Sequence, residues 1–317
     1  SSRAEREGRR LVLCLVSNFS LLDDEKLRFL RGYRVQMCTS LDGPEWLHNQ
    51  NRIFREGNSY AKTVGWLKRL LEPFSGGRAP EGCDRPGALL TATRLSLAHP
   101  REIIDAYVAL GLPVVYLRPL SPIGFARRVW DKIGYSADEF VLFYRSAMDY
   151  ILELNRRGTP MVEQMSRILL GKILSAEDPG FVDLRSPAGG GLGVLAYNYN
   201  GDVYPSDEGR MLAQEGNDHF RLGNAGQPYR EVVGHESNKN WALASTLALQ
   251  PLCAQCAYRP YCGVCPTNNL QTQGSIWGQM TTNARCAVSM GLFDYLFEKL
   301  RDPAARRILE SWVLPEK

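Results

Sequence analysis

Apolar and polar positions fall into two textures along this chain, and the first is a regular alternation. Arg10 to Val16 is a short apolar run closed by Ser17-Asn18. Leu22-Asp23-Asp24-Glu25 then opens a helix whose acidic first turn suits the positive end of the helix dipole. Arg34 to Ser40 predicts a second strand, ended by Ser40-Leu41-Asp42-Gly43-Pro44, a turn by composition. Gly57-Asn58-Ser59-Tyr60 begins a helix through Leu71, with Val64, Leu67, Leu70 and Leu71 on one face. Phe74 to Gly87 reads as a Pro/Gly linker. Ala88 to Thr93 is a third strand, His99-Pro100 starts a helix through Leu110, and Gly111 is a suitable C-terminal stop. Pro113 to Leu117 is a fourth strand, followed by the loop Arg118 to Gly124. Strand and helix in this rhythm predict an α/β fold of parallel β/α units. Function in such folds belongs to the loops after the strands. Here these are Ser17-Asn18, Ser40 to Arg52, Thr93 to His99 and Arg118 to Gly124.

Ser136 to Arg156 and Thr159 to Leu174 read as two helices, after which the texture changes. Ser186 to Gly193 is Gly-rich. Leu195 to Asn200 and Asp202 to Pro205 flank an Asn200-Gly201 turn and predict a hairpin. Cysteine-bearing loops follow, and Ala287 to Leu300 is a closing amphipathic helix. The expected domains are therefore 1–180 and 181–317, in keeping with the usual size of domains in a chain of 317 residues. There is no internal repeat.

Hydrophobic residues at 44% and charged residues at 23% are ordinary for a globular protein. The net charge of +4 is spread along the chain, and no basic run is interleaved with aromatics, which argues against a nucleic-acid partner. No apolar stretch is long enough to span a membrane. Arg9-Arg10 before Leu11 to Val16 superficially resembles an export signal, but the apolar part is too short and lacks a small-residue cleavage site. Clustered cysteines without an export signal favour a reducing, cytoplasmic setting and metal ligation over disulfides.

Five of the eight cysteines lie near the end: Cys253, Cys256, Cys262, Cys265 and Cys286. Two thiols three positions apart, repeated one short loop later, suit a tetrahedral metal or an iron–sulfur cluster. Spacing alone leaves a four-cysteine zinc site and a [4Fe–4S] cluster equally open. A dithiol redox pair needs fewer cysteines than are clustered here. His48, His99, His219 and His235 are scattered without ligand spacing. Cys14 and Cys38 fall in strand-like runs and are expected in the core, and Cys83 sits in the linker.

The cysteine segment resembles the SPASM domain of radical SAM peptide-modifying enzymes, which carries a G-x4-C hairpin, then C-x2-C-x5-C-x3-C, then a distant last cysteine. Gly201-Asp-Val-Tyr-Pro-Ser206 matches the hairpin with Ser in place of Cys. Cys253, Cys256 and Cys262 match the first three cysteines of the central motif, Cys265 comes one residue early, and Cys286 matches the last. Ser40-Leu-Asp-Gly-Pro44, His48, Asn51-Arg52 and Gly57-Asn-Ser-Tyr60 resemble the S-L-D-G-P…H…N-R…G-S-Y pattern of the same enzymes. The phrase from Leu195 to Met211 is similar to the B-type maturase of the His-Xaa-Ser peptide system. The C-x3-C-x2-C loop of the SAM-cleaving cluster is absent from the sequence. In the family it precedes the strand placed at Arg10 to Val16, so the chain is expected to be the C-terminal portion of a longer protein.

The resemblance implies the later β/α units of a partial (β/α)6 TIM-like barrel followed by a small cysteine-rich α+β domain. It implies S-adenosyl-L-methionine (AdoMet) and a [4Fe–4S] cluster as cofactors. Cys253, Cys256, Cys262 and Cys286 would hold one auxiliary cluster. Ser206 would leave a second cluster without a ligand, and Cys265 would be a packing residue. Ser40 and Arg52 match positions that bind the AdoMet carboxylate, and Ser17-Asn18 matches a strand end lining the same pocket. Asp207 would accept a proton during substrate oxidation if held in a closed pocket, and Arg118 would face the substrate. The implied partners are a ribosomally synthesised precursor peptide, rich in His-Xaa-Ser if the subfamily likeness holds, a partner maturase, and an electron donor such as flavodoxin or ferredoxin. The competing expectation is a non-catalytic, zinc-stapled module that binds a peptide or protein.

Overall fold

The computed structural model describes residues 6–9, 11–55, 57–74, 85–175, 178 and 180–314. Most of the expected linker, and Cys83 with it, lies outside the described residues. The chain forms two compact units, one of Ser1–Pro119 with Ser146–Gln164, the other of Leu120–Arg145 with Met165–Lys317. The compact units therefore do not follow a single cut at residue 180: the long helix after Ser136 runs from one into the other.

The first unit is built on a parallel sheet. Strand β1 (Cys14–Val16) leads to helix α1 (Asp24–Gly32), β2 (Gln36–Ser40), α2 (Glu45–Asn51), α3 (Ser59–Leu71), β3 (Gly87–Ala92), α4 (Pro100–Ala109), β4 (Val114–Val115) and β5 (Leu117–Pro119). The sheet order is β1-β2-β3-β5, with Val16 opposite Cys38, Ser40 opposite Leu89 and Leu90 opposite Leu117. Local chemistry sets the helix starts. Asp23 caps α1 through the Lys26 amide at 2.8 Å, and Asn58 caps α3 through the Ala61 amide at 2.8 Å; such caps contribute about 1 kcal/mol each. Pro100 opens α4, and Gly111 just beyond it takes a φ of 66°. Leu41, Leu47, Leu67, Leu90, Ile103, Ile104 and Tyr107 fill the core between sheet and helices.

Three expectations need correction. Pro113 to Leu117 is not one strand. β5 pairs with β3, whereas β4 pairs with β6 (Val162–Glu163), where a continuous helix was expected. Glu163 explains the change: its buried carboxylate accepts the Leu117 amide at 3.1 Å, which anchors a strand at that point. The helix expected from Thr159 therefore begins only at Gln164. Cys14 is exposed rather than core, because β1 is the edge strand of the described sheet; Cys38 is half-buried.

Helix α5 (Ala137–Arg156), β6 and α6 (Gln164–Leu174) connect the units in sequence. The second unit then forms a hairpin of β7 (Ala196–Tyr197) and β8 (Asp202–Tyr204), whose turn places Gly201 at a φ of 87°. Helix α7 (Asp207–Gln214) and a third strand β9 (Gly223–Asn224) follow, then α8 (Glu236–Ala244), α9 (Pro266–Gln273), α10 (Ala284–Leu300) and α11 (Pro303–Ser311). Ile123, Tyr204, Leu212, Phe220, Trp241 and Cys265 form one core cluster of this unit. Leu292, Phe293, Tyr295 and Leu296 are the buried face of α10.

Candidate cofactor sites

The first candidate site lies at the carboxyl ends of β1 to β3. Parallel pairing brings these ends together, and the Ser17 amide donates to the Cys38 carbonyl at 3.0 Å, so Ser17-Asn18 lies beside the end of β2. The turn after Ser40 is packed on all sides. Leu41 is fully buried, and its carbonyl accepts the Tyr107 hydroxyl at 2.8 Å. Gly43 has a φ of 125°, and a Cβ there would lie 2.9 Å from Ile103 Cγ1 and 3.1 Å from Leu47 Cδ2. Backbone conformation and space both demand glycine.

Asp42 and Arg52 form the electrostatic centre. Arg52 Nε donates to Asp42 Oδ2 at 2.7 Å and Nη2 donates to Oδ1 at 3.1 Å. The Asp42 side chain is 2% exposed and that of Arg52 28%. The Thr91 amide also donates to Asp42 Oδ1, at 3.3 Å. His48 completes the shell: its Nδ1 accepts the Asp42 amide at 3.3 Å and its Nε2 faces Ser59 Oγ at 3.2 Å. Burial pushes the His48 pKa down to about 4; the Asp42 charge opposes this and Arg52 reinforces it. His48 is therefore neutral near pH 7, with the proton on Nε2.

The remaining polar groups include both donors and acceptors. Asn51 Oδ1 accepts the Thr93 hydroxyl at 2.8 Å, while the buried Asn51 Nδ2 has no partner among the described residues. Arg52 Nη1 and the Ser40 hydroxyl also lack one. Ser17 and Asn18 serve their own turn: Ser17 Oγ accepts the Phe19 amide at 3.2 Å and Asn18 Oδ1 accepts the Ser20 amide at 3.0 Å. Arg118 lies exposed on β5, its guanidinium 5.6 Å from the Tyr116 ring centre.

The second candidate site gathers thiols in the second unit. Burial, then Cys262, Cys286 and Cys256, push the Cys253 thiol up to about 11. Cys262 is raised mainly by burial and also feels Cys286 and Cys256; Cys286 is raised by burial and by Cys256. The four sulfurs thus lie within electrostatic reach of one another, and all are free thiols. Three local devices bring them there. The Cys262 amide donates to the Tyr258 carbonyl at 3.0 Å, closing the loop. Asn283 caps α10 through the Cys286 amide at 3.1 Å, fixing Cys286 in its first turn. Tyr258 stacks on Phe293 and Phe297, with ring centres 5.1 and 6.0 Å apart, which clasps the loop against α10.

Cys265 stands apart. It is buried in the core with Tyr204, Phe220 and Trp241. Burial raises its pKa, Arg285 opposes that, and Asp183 and Glu208 add to it; none of the four gathered thiols contributes. Sequence reasoning missed Gly263 between them: a Cβ there would lie 1.8 Å from the Asp183 carbonyl oxygen. Among the described residues, no three His, Cys, Asp or Glu side chains converge as ligands of a single ion.

Ser206 is 8% exposed and caps α7 by accepting the Gly209 amide at 3.2 Å. The enclosed setting expected for Asp207 is not what the structure shows. As the first residue of α7 its side chain points outward, 67% exposed, and accepts Arg210 Nε at 2.8 Å.

No protein-family model matches the chain. Its fold, with a parallel β/α unit and a cysteine-bearing α+β unit, is similar to that of solved structures of radical SAM enzymes with a SPASM domain. One such structure is that of anSMEcpe, an anaerobic sulfatase-maturating enzyme of that class. Its native structure with bound AdoMet superposes at a TM-score of 0.70 and 19% identity, over 96% of this chain and 77% of that one. Its complex with AdoMet and the Kp18Cys peptide gives 0.71 and 19%, over 96% and 79%. At this identity the likeness establishes the fold.

Proposed function

We propose that this chain supplies the AdoMet-binding strand ends and the auxiliary-cluster domain of a radical SAM enzyme that modifies a ribosomally made peptide. The observation that carries this reading is that stacking of Tyr258 on Phe293 and Phe297 holds the Cys253 to Cys262 loop against α10, where Asn283 fixes Cys286 in the first turn, while Cys265 is packed in the core. Four cysteines so placed would hold an iron–sulfur cluster with each thiolate on a different iron. At the strand ends the Ser40 hydroxyl and the Arg52 guanidinium can both donate to a carboxylate. When bound beside a reducing [4Fe–4S] cluster, AdoMet supplies a radical able to remove hydrogen from a peptide side chain. The protein's part is to hold, orient and exclude water.

Asp207 enters this reading as a proton acceptor exposed until a peptide covers it. Asp207→Asn is then expected to leave AdoMet cleavage intact and to lower product formation by about 100-fold. The segment Leu195 to Met211 supports a peptide rich in His-Xaa-Ser as substrate. A partner maturase, a flavodoxin or ferredoxin donor and a cytoplasmic setting belong to the same proposal. None of the described helices is long and apolar enough to cross a membrane. Anaerobic purification and reconstitution test the reading. Brown protein with about four irons and matching sulfide per chain is expected. Colourless protein with one tightly held zinc would instead favour a zinc-stapled binding module. Cys286→Ser should lose the iron, and Cys265→Ala should keep it.

A further inference from the structure

We infer that Asp42 is a positioning residue whose buried carboxylate aims the Arg52 guanidinium at the carboxylate of an amino-acid-bearing nucleoside at the strand ends. The inference rests on the AdoMet reading above and adds to it a residue that does not itself touch the ligand.

An aspartate this deeply buried is tolerated only when paired and hydrogen-bonded. Asp42 is both, through Arg52 Nε and Nη2 and the Thr91 amide. The turn that carries it is fixed independently by Leu41 and Tyr107, by Gly43 against Ile103, and by His48 on the Asp42 amide. Asp42 is therefore a rigid point on the scaffold, and Arg52, more exposed, is the element it orients.

A guanidinium offers five donors in a planar fork. Asp42 engages Nε and one side of the fork, which fixes the plane and leaves Nη1 without a partner among the described residues. Arg52 follows directly on Asn51, whose buried Nδ2 is likewise unpartnered while its oxygen is tied to Thr93. Arg52 is thus held by one edge of its fork and offers donors from the other. Pairing with Asp42 cancels the arginine's charge locally, so recognition would come from directed hydrogen bonds, which a lysine cannot reproduce. Pre-fixing a long side chain also removes ordering cost from binding.

The test compares two nucleosides. S-adenosylhomocysteine carries the amino-acid carboxylate; 5′-methylthioadenosine shares the adenosine and thioether but lacks it. Both are titrated into the anaerobically reconstituted full chain. The wild type should bind S-adenosylhomocysteine more tightly. Asp42→Asn should weaken S-adenosylhomocysteine by roughly 10-fold and 5′-methylthioadenosine by less than about 2-fold. Arg52→Lys, a milder change at a more exposed position, should collapse the same preference although it keeps the charge. Equal weakening of both ligands by Asp42→Asn would mean a merely structural role, and a preference retained in Arg52→Lys would also overturn the inference. A wild type that binds both ligands equally would remove the carboxylate contact but leave a nucleoside site. A wild type that binds neither would remove the AdoMet reading itself.

Discussion

His48 shows how one residue couples the strand-end site to pH. Its neutral ring accepts from the Asp42 amide and faces Ser59, and its pKa is depressed to about 4 from an ordinary value near 6.5. A depressed histidine binds protons more readily unfolded than folded, so its contribution is complete above about pH 6.5 and is lost as pH falls towards 4. The loss is on the order of 3 kcal/mol. Urea titrations of wild type and His48→Gln at pH 7 and pH 4.5 should show the wild type losing more stability than the variant; equal losses would remove His48 as the titrating group. Gly263 carries a second residue-scale prediction. Gly263→Ala places a Cβ against the Asp183 carbonyl oxygen, which must move, and the loop holding Cys262 moves with it. A melting temperature several degrees lower is expected, together with reduced iron loading.

Among the elements, α7 and α10 are held by different means. Ser206 caps α7, and Ser206→Ala should cost about 1 kcal/mol by denaturant titration. In the second case the loop of Cys253 to Cys262 is clasped to α10 by Tyr258 on Phe293 and Phe297. Phe293→Ala removes a buried ring, at a cost of about 3–5 kcal/mol. It should also loosen Cys286 from the other three thiols, so that iron stoichiometry drops in a variant that retains every cysteine. Full iron content in that variant would show that the clasp does not set the thiol geometry. Strands behaved differently from helices in sequence reading. β2 and β3 were legible as apolar runs, but the division of Pro113 to Leu117 into β4 and β5 was not, because it depends on Glu163, distant in sequence, accepting the Leu117 amide.

For the molecule as a whole, each compact unit has its own core and its own candidate site. Binding of the proposed cluster would add to the stability of the unit that provides the thiols. Removing iron from reconstituted protein by anaerobic chelation should therefore lower the calorimetric transition of the cysteine-bearing unit and leave that of the β/α unit nearly unchanged. If both transitions shift together, the two units unfold cooperatively.

The sequence by itself determined the parallel β/α rhythm, the turn at Asp42-Gly43, the hairpin at Asn200-Gly201 and the five clustered cysteines, because each is written in local periodicity or turn chemistry. It also singled out Ser40 and Arg52, through the resemblance to radical SAM enzymes. Only the tertiary structure decided what these residues face. Cys265, nearest in sequence to Cys262, is turned into the core by helix α9, while the remote Cys286 is brought to the other thiols by the cap and aromatic clasp of α10. Asp42 became more than a turn residue because Arg52, ten positions on, returns to it across helix α2. Asp207 proved exposed because Ser206 spends its hydroxyl on capping α7, which turns the next side chain outward. In each case the deciding partner is distant in sequence or lies across a packed helix, beyond the reach of local pattern.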